Sequence, residues 1–194
     1  MPLFTGRTAF GGIAFLLSVG AAQGQGGGLT CAQLLQAQDA KAVTVCKAEL
    51  DEAENAPANE RLARIVAHDG YGVALLAVAH KPKQSLEAFD GAIALLPAST
   101  VKPDSLQWAV VFWHRATAYQ QMEDWPRAAG DLKTAEDTFT AGIAAAGGDP
   151  ALVGGDPALV DHFRQLRQRV RKQHADVLER QGKHGEAQRL LATQ

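Results

Sequence analysis

One spacing of small and large side chains, met three times along the chain, constrains its fold more than any other feature. Its clearest copy lies between Trp108 and Ala135, where Ala116, Tyr119, Trp125, Ala128, Leu132 and Ala135 fall at fixed steps. Upstream, Val73, Leu76, Pro82, Ser85, Phe89 and Ala92 keep the same steps and Pro97 closes the series. Downstream, Ala175, Leu178, His184, Ala187 and Leu191 keep them again. The spacing describes an antiparallel helix pair. A small residue in the first helix lets the second come close, a small residue in the second reciprocates, and the larger residues fill the space between. Alanine, leucine, glutamine and arginine are common, β-branched and aromatic runs are sparse, and no stretch reads as a strand, so the fold class is all-α.

These small and aromatic positions resemble the tetratricopeptide repeat (TPR), a helix pair of about 34 residues. The middle copy matches best, and in the third Leu178 and His184 stand where aromatics are usual. The resemblance covers roughly residues 60 to 194. It implies antiparallel hairpins stacked as a short TPR-like right-handed solenoid, with a concave groove lined by the first helix of each pair. Carried over by position, the groove residues are Ala67, Gly70, Ala74, Ala77 and Val78, then Val110, Trp113, Thr117, Gln120 and Gln121, then Arg169, Lys172, Asp176, Glu179 and Arg180. Of these, Trp113, Thr117, Gln120, Gln121, Gly70, Ala74, Arg169 and Lys172 are the expected partner contacts, with Trp113 as an aromatic anchor. Trp108, Tyr119 and Trp125 are expected in the core. Relatives that clamp a C-terminal carboxylate place lysine, asparagine and arginine in the groove, and alanine, tryptophan and threonine stand at most of those positions here.

The N-terminus is a different material. Arg7 is the only charge before the apolar run from Ala9 to Val19, which is followed by Gly20, Ala21 and Ala22. That layout is a secretory signal peptide over residues 1–22, cleaved after Ala21 or Ala22. The run is short of the roughly 20 residues a spanning helix needs, so periplasmic or secreted placement is expected ahead of retention as a membrane anchor. Residues 23–28 form a flexible tail rich in glycine. In an oxidising compartment the two cysteines, Cys31 and Cys46, should pair. Residues 29–58 then form an N-terminal helical cap of two helices tied by that disulfide.

The remainder, residues 59–194, is the repeat domain, in three hairpins of about 59–97, 103–146 and 157–194. Asn59 is a candidate cap for the first, whose opening helix is interrupted by Gly70 and Gly72. Mid-helix glycine costs roughly 1 kcal/mol against alanine, so another helix or a ligand is expected close to it. Pro103-Asp104-Ser105 opens the aromatic-bearing helix and Asp124 caps its partner. Gly147 to Val153 is repeated without change as Gly154 to Val160, and residues 147–156 read as an inserted loop.

Chemistry is sparse. The six histidines show no metal-ligand spacing, and there is no nucleophile elbow or phosphate-cradling loop. No enzyme activity, metal or cofactor is expected; His68-Asp69 is the one adjacent acid-base pair near the groove, and it reads as helix surface and packing. The segment 161–173 carries five basic residues and one acidic in a chain of formal net charge −2. It reads as a solvated face, with contact between Arg164–Lys172 and an anionic partner surface as the alternative. The function expected is a non-catalytic scaffold for a protein or peptide, without nucleic acid. The alternatives are a regulatory subunit or accessory factor of an envelope enzyme, and a structural protein that self-associates as a homo-oligomer.

Overall fold

A computed structural model describes residues 29–57, 60–96, 105–148 and 157–192. The expected signal peptide, the glycine-rich tail, Asn59, Pro103-Asp104 and all of the duplicated loop but Gly147-Gly148 lie outside the described residues. Eight α-helices and no strand occur among the described residues: α1 (Cys31–Gln36), α2 (Ala42–Asn55), α3 (Arg61–Val73), α4 (Pro82–Ala94), α5 (Ser105–Gln121), α6 (Trp125–Gly148), α7 (Pro157–Arg180) and α8 (His184–Ala192). None of these helices is long and apolar enough to cross a membrane.

The helices pair in four hairpins, and each hairpin turns through one residue in the left-handed region. These are Gln38 (φ 52°), His80 (φ 55°), Glu123 (φ 58°) and Gly182 (φ 74°). The next residue's amide then reaches back to cap the first helix, a C-terminal closure that satisfies carbonyls the helix leaves free. Asp39 donates to the Leu34 carbonyl, Asp124 to Tyr119 and Lys183 to Leu178, each at 2.9 Å. In the second hairpin α3 ends in a wider π-helical turn, Ala74–Val78, and Lys81 donates to Leu75 at 2.8 Å, one residue further back. Starts are equally local. Thr30 and Gln33 form a reciprocal capping box at α1, and Asp124 accepts from the Arg127 amide at 3.2 Å to cap α6.

Small residues sit where the helices come closest. Ala42, Ala74, Ala92, Ala109, Ala116, Ala118, Ala128 and Ala135 are all fully buried. The largest apolar cluster joins α5, α6 and α7 through Trp113, Leu132, Phe139, Phe163, Leu166 and Val170, and the second joins α1 to α4 through Leu34, Cys46, Leu76 and Phe89. Half-buried Leu86 packs against both. The expected disulfide is formed between Cys31 and Cys46, with 4.7 Å between their Cα atoms, and it fixes six-residue α1 against α2.

The glycines that interrupt α3 are explained by this packing. A Cβ on Gly70 would lie 3.1 Å from Cys31 Sγ, and one on Gly72 only 2.4 Å from the ring of Phe89 on α4. Helix packing, rather than a ligand, is what comes close. Gly91 on α4 is a third such position, with the His68 ring 2.6 Å from its would-be Cβ. Gly130, in the middle of α6, meets nothing within 4 Å. Urea denaturation of the Gly72→Ala variant should therefore show a net loss, since overpacking costs roughly 1–3 kcal/mol. Gly130→Ala should instead gain about 1 kcal/mol from helix propensity alone.

Candidate partner-binding face

Each helix packs against the next along the chain, and three further, much smaller contacts skip a helix: α1 with α3, α3 with α5, and α5 with α7. Among the described residues no contact of that extent links α2 with α4, α4 with α6 or α6 with α8. The odd-numbered helices are thus neighbours of one another, and polar side chains tie them.

Two of these ties occupy equivalent places. His114 and Gln173 each stand two residues before a buried alanine of the repeated spacing, Ala116 and Ala175. Each reaches back to the preceding odd helix. His114 Nδ1 lies 2.8 and 3.0 Å from the two carboxylate oxygens of Asp69 on α3, with both side chains buried. The Trp113 indole N–H on α5 donates to Gln173 Oε1 on α7 at 2.6 Å, and Gln173 Nε2 donates to Thr117 Oγ1 at 3.3 Å.

The even helices are tied by charge. Arg115 forks onto both oxygens of Asp131 on α6 at 2.8 Å and also donates to Asp90 on α4 at 2.6 Å, so one guanidinium spans three helices. The hydrogen bonds and charge of Asp131 and Asp90 outweigh its burial and hold it still more firmly in the charged form. On α7, Arg171 donates to Glu136 of α6 at 2.6 Å, and His174 Nδ1 lies 3.6 Å from the other oxygen of Glu136. His68 on α3 pairs with Glu54 on α2 at 2.7 Å.

These contacts revise the expected groove. Gly70 and Ala74 are buried: α1 packs on α3 and sets the disulfide directly against Gly70, and the π-helical turn that holds Ala74 packs on α2 and α4. Trp113 is 7% exposed and its N–H is already taken by Gln173, so it is a core residue and not a surface anchor. Thr117 and Gln120 are half-buried, while Gln121, Arg169 and Lys172 are exposed. Trp108 and Tyr119 are buried as expected, and Trp125 is half-buried with the Arg180 guanidinium 5.5 Å from its ring centroid. The adjacent pair His68-Asp69 is no acid-base unit: successive helical residues point about 100° apart, and the two side chains go to Glu54 and His114 respectively. Within the basic run, Arg164 is paired with Asp161 and Arg171 with Glu136; Arg169 and Lys172 keep their charges in solvent.

Gln173 was not among the expected site residues. Its signal was present: a glutamine lying between Val170 and Val177 on the buried stripe of α7 has to find a polar partner. Among the described residues no group of three His, Cys, Asp or Glu side chains is placed to hold a metal ion. Comparisons with family models, curated proteins and solved structures yield no match to this chain.

Truncating Trp113 to alanine should act on stability, with a loss of about 3–5 kcal/mol as for other buried aromatics. Trp113→Phe keeps most of the ring and loses only the N–H, leaving Gln173 Oε1 without that donor, at a cost of about 1–2 kcal/mol. Thermal denaturation of the two variants separates packing from the hydrogen bond.

Proposed function

We propose that the chain is an exported TPR-like scaffold that binds a protein or peptide segment across α3, α5 and α7 without catalysing a reaction. The observation that carries this reading is the run of contacts from α1 to α3 to α5 to α7, with no run of that extent among the even helices in the described residues. Hairpins stacked in that way place their first helices in an inner layer and their second helices outside, the arrangement of a helical solenoid. The four equivalent turns and the matching places of His114 and Gln173 support the same reading.

The part of the inner surface formed by α5 and α7 is then polar. Gln121, Arg169, Lys172 and Asp176 are exposed on it, with half-buried Thr117 and Gln120 between them. A surface of amides and charges with its aromatics withdrawn into the core suits an extended peptide held by hydrogen bonds and ion pairs better than an apolar helix. Export is supported by the disulfide, which persists in oxidising compartments, and by the layout of residues 1–22. The mature chain is then expected to begin at Ala22 or Gln23.

The test is site-specific photocrosslinking in cells that make the protein. A photoreactive residue at Gln121 and another at Lys172 should capture one and the same polypeptide, and one at Lys133, exposed on α6, should not. Capture of unrelated species at the two inner sites, or equal capture at Lys133, would contradict the proposed face. Mass measurement of the purified chain reads the N-terminus in the same experiment.

A further inference from the structure

We propose that the joint between α6 and α7 is acid-sensitive, and that a proton taken up by His174 inside it weakens the hold of the third hairpin on the second. The joint holds two buried ionisable side chains and the half-buried guanidinium of Arg171. Glu136 on α6 has a side chain 9% exposed, and His174 on α7 has one 11% exposed. Arg171, nearly one turn before His174, already engages Glu136 through both its Nε and its Nη2 at 2.6 Å.

That leaves His174 poorly placed to be a cation. Its Nδ1 is 3.6 Å from Glu136 Oε2, too far for a hydrogen bond, and it is buried with no hydrogen-bond partner. With a neutral imidazole the trio of Glu136, Arg171 and His174 sums to one carboxylate beside one guanidinium. With an imidazolium it carries a net positive charge away from water, which costs free energy unless a further anion answers it. The groups that face the ring do not supply one. On α6, besides Glu136, they are Asp137 and Lys133, which are paired with each other at 2.7 Å; on α7 there is Arg171. Neither α5 nor α8 gives the ring an ion pair or hydrogen bond among the described residues.

Burial accordingly holds the His174 pKa below its ordinary value, against the opposing pull of Glu136. The sign of the linkage follows. As pH falls through about 6.5 the unfolded or opened chain takes the proton first, so the contribution of the joint is complete above that pH and is lost as pH drops toward the folded-state pKa. The joint matters because α7 contributes Phe163, Leu166, Val170 and Val177 to the largest core cluster and carries Arg169 and Lys172. Loss of those two from the inner face at low pH rests on the proposed binding reading; the acid-sensitive joint does not, and its test uses no partner.

The test is hydrogen exchange of the full mature chain at pH 7.5 and 5.0, corrected for the intrinsic pH dependence of amide exchange and read peptide by peptide. Protection in α7 and α8 should fall at pH 5.0, by up to roughly thirtyfold, the limit set by the 1.5 pH units between about 6.5 and 5.0, while α1 to α4 keep theirs. The His174→Gln variant should lack this fall, and His162→Gln and His184→Gln should retain it. Unchanged protection in the wild type, a uniform loss along the chain, or an equal loss in His174→Gln would overturn the proposal. If His174→Gln does not fold, NMR titration of the wild-type ring decides. A midpoint below the ordinary range supports the joint, and one at or above it overturns the joint.

Discussion

The helices of this chain pack where alanine or glycine leaves room for a side chain of the neighbouring helix. Gly72 admits the Phe89 ring between α3 and α4, and Gly91 admits the His68 ring. In the next hairpin fully buried Ala116 and Ala128 stand at the crossing of α5 and α6, with Leu132 and Phe139 filling the space on one side. With only 6% aromatic residues and much alanine, the chain has few large side chains with which to fix helix register by shape.

Polar ties supply that register. Arg115 joins α4, α5 and α6, Glu136 joins α6 and α7, and the His114–Asp69 and Trp113–Gln173 pairs join the odd helices across the intervening ones. Ties of this kind contribute less to net stability than their short distances suggest, because the carboxylates of Asp69, Asp131 and Glu136 have left water. Their effect is on specificity: an Arg fork on Asp131 is satisfied in one helix register and broken in its neighbours. In the N-terminal hairpin the Cys31–Cys46 disulfide adds a covalent tie to the hydrogen bond that the Cys31 amide donates to Glu49 Oε1 at 2.8 Å.

Much of this was legible in the sequence because it rests on local rules. Asp124 as a cap, Gly182 as a turn, the Cys31–Cys46 pair and the bounds of the long helices need only neighbouring residues to be read. The left-handed turns at Gln38, His80 and Glu123 carry no glycine, so they gave no such signal. The candidate face was less legible for the same physical reason. Whether Trp113 is a surface anchor or a core residue is decided by Gln173, sixty positions away, and whether Gly70 lines a groove is decided by Cys31 on a helix outside the repeated spacing. Position in the sequence says which helix a residue is on; the neighbouring hairpin says whether it is covered.

The direct contact of α3 with α5 is open to test by a double-mutant cycle on Asp69 and His114. The two single alanine variants and the double variant would be unfolded in urea and compared with the parent. Contact between buried, hydrogen-bonded partners predicts that the single losses exceed additivity by about 1–3 kcal/mol. Losses that add to within about 0.5 kcal/mol would mean that the two side chains do not meet, and would contradict the stacking of the odd helices on which the functional proposal rests.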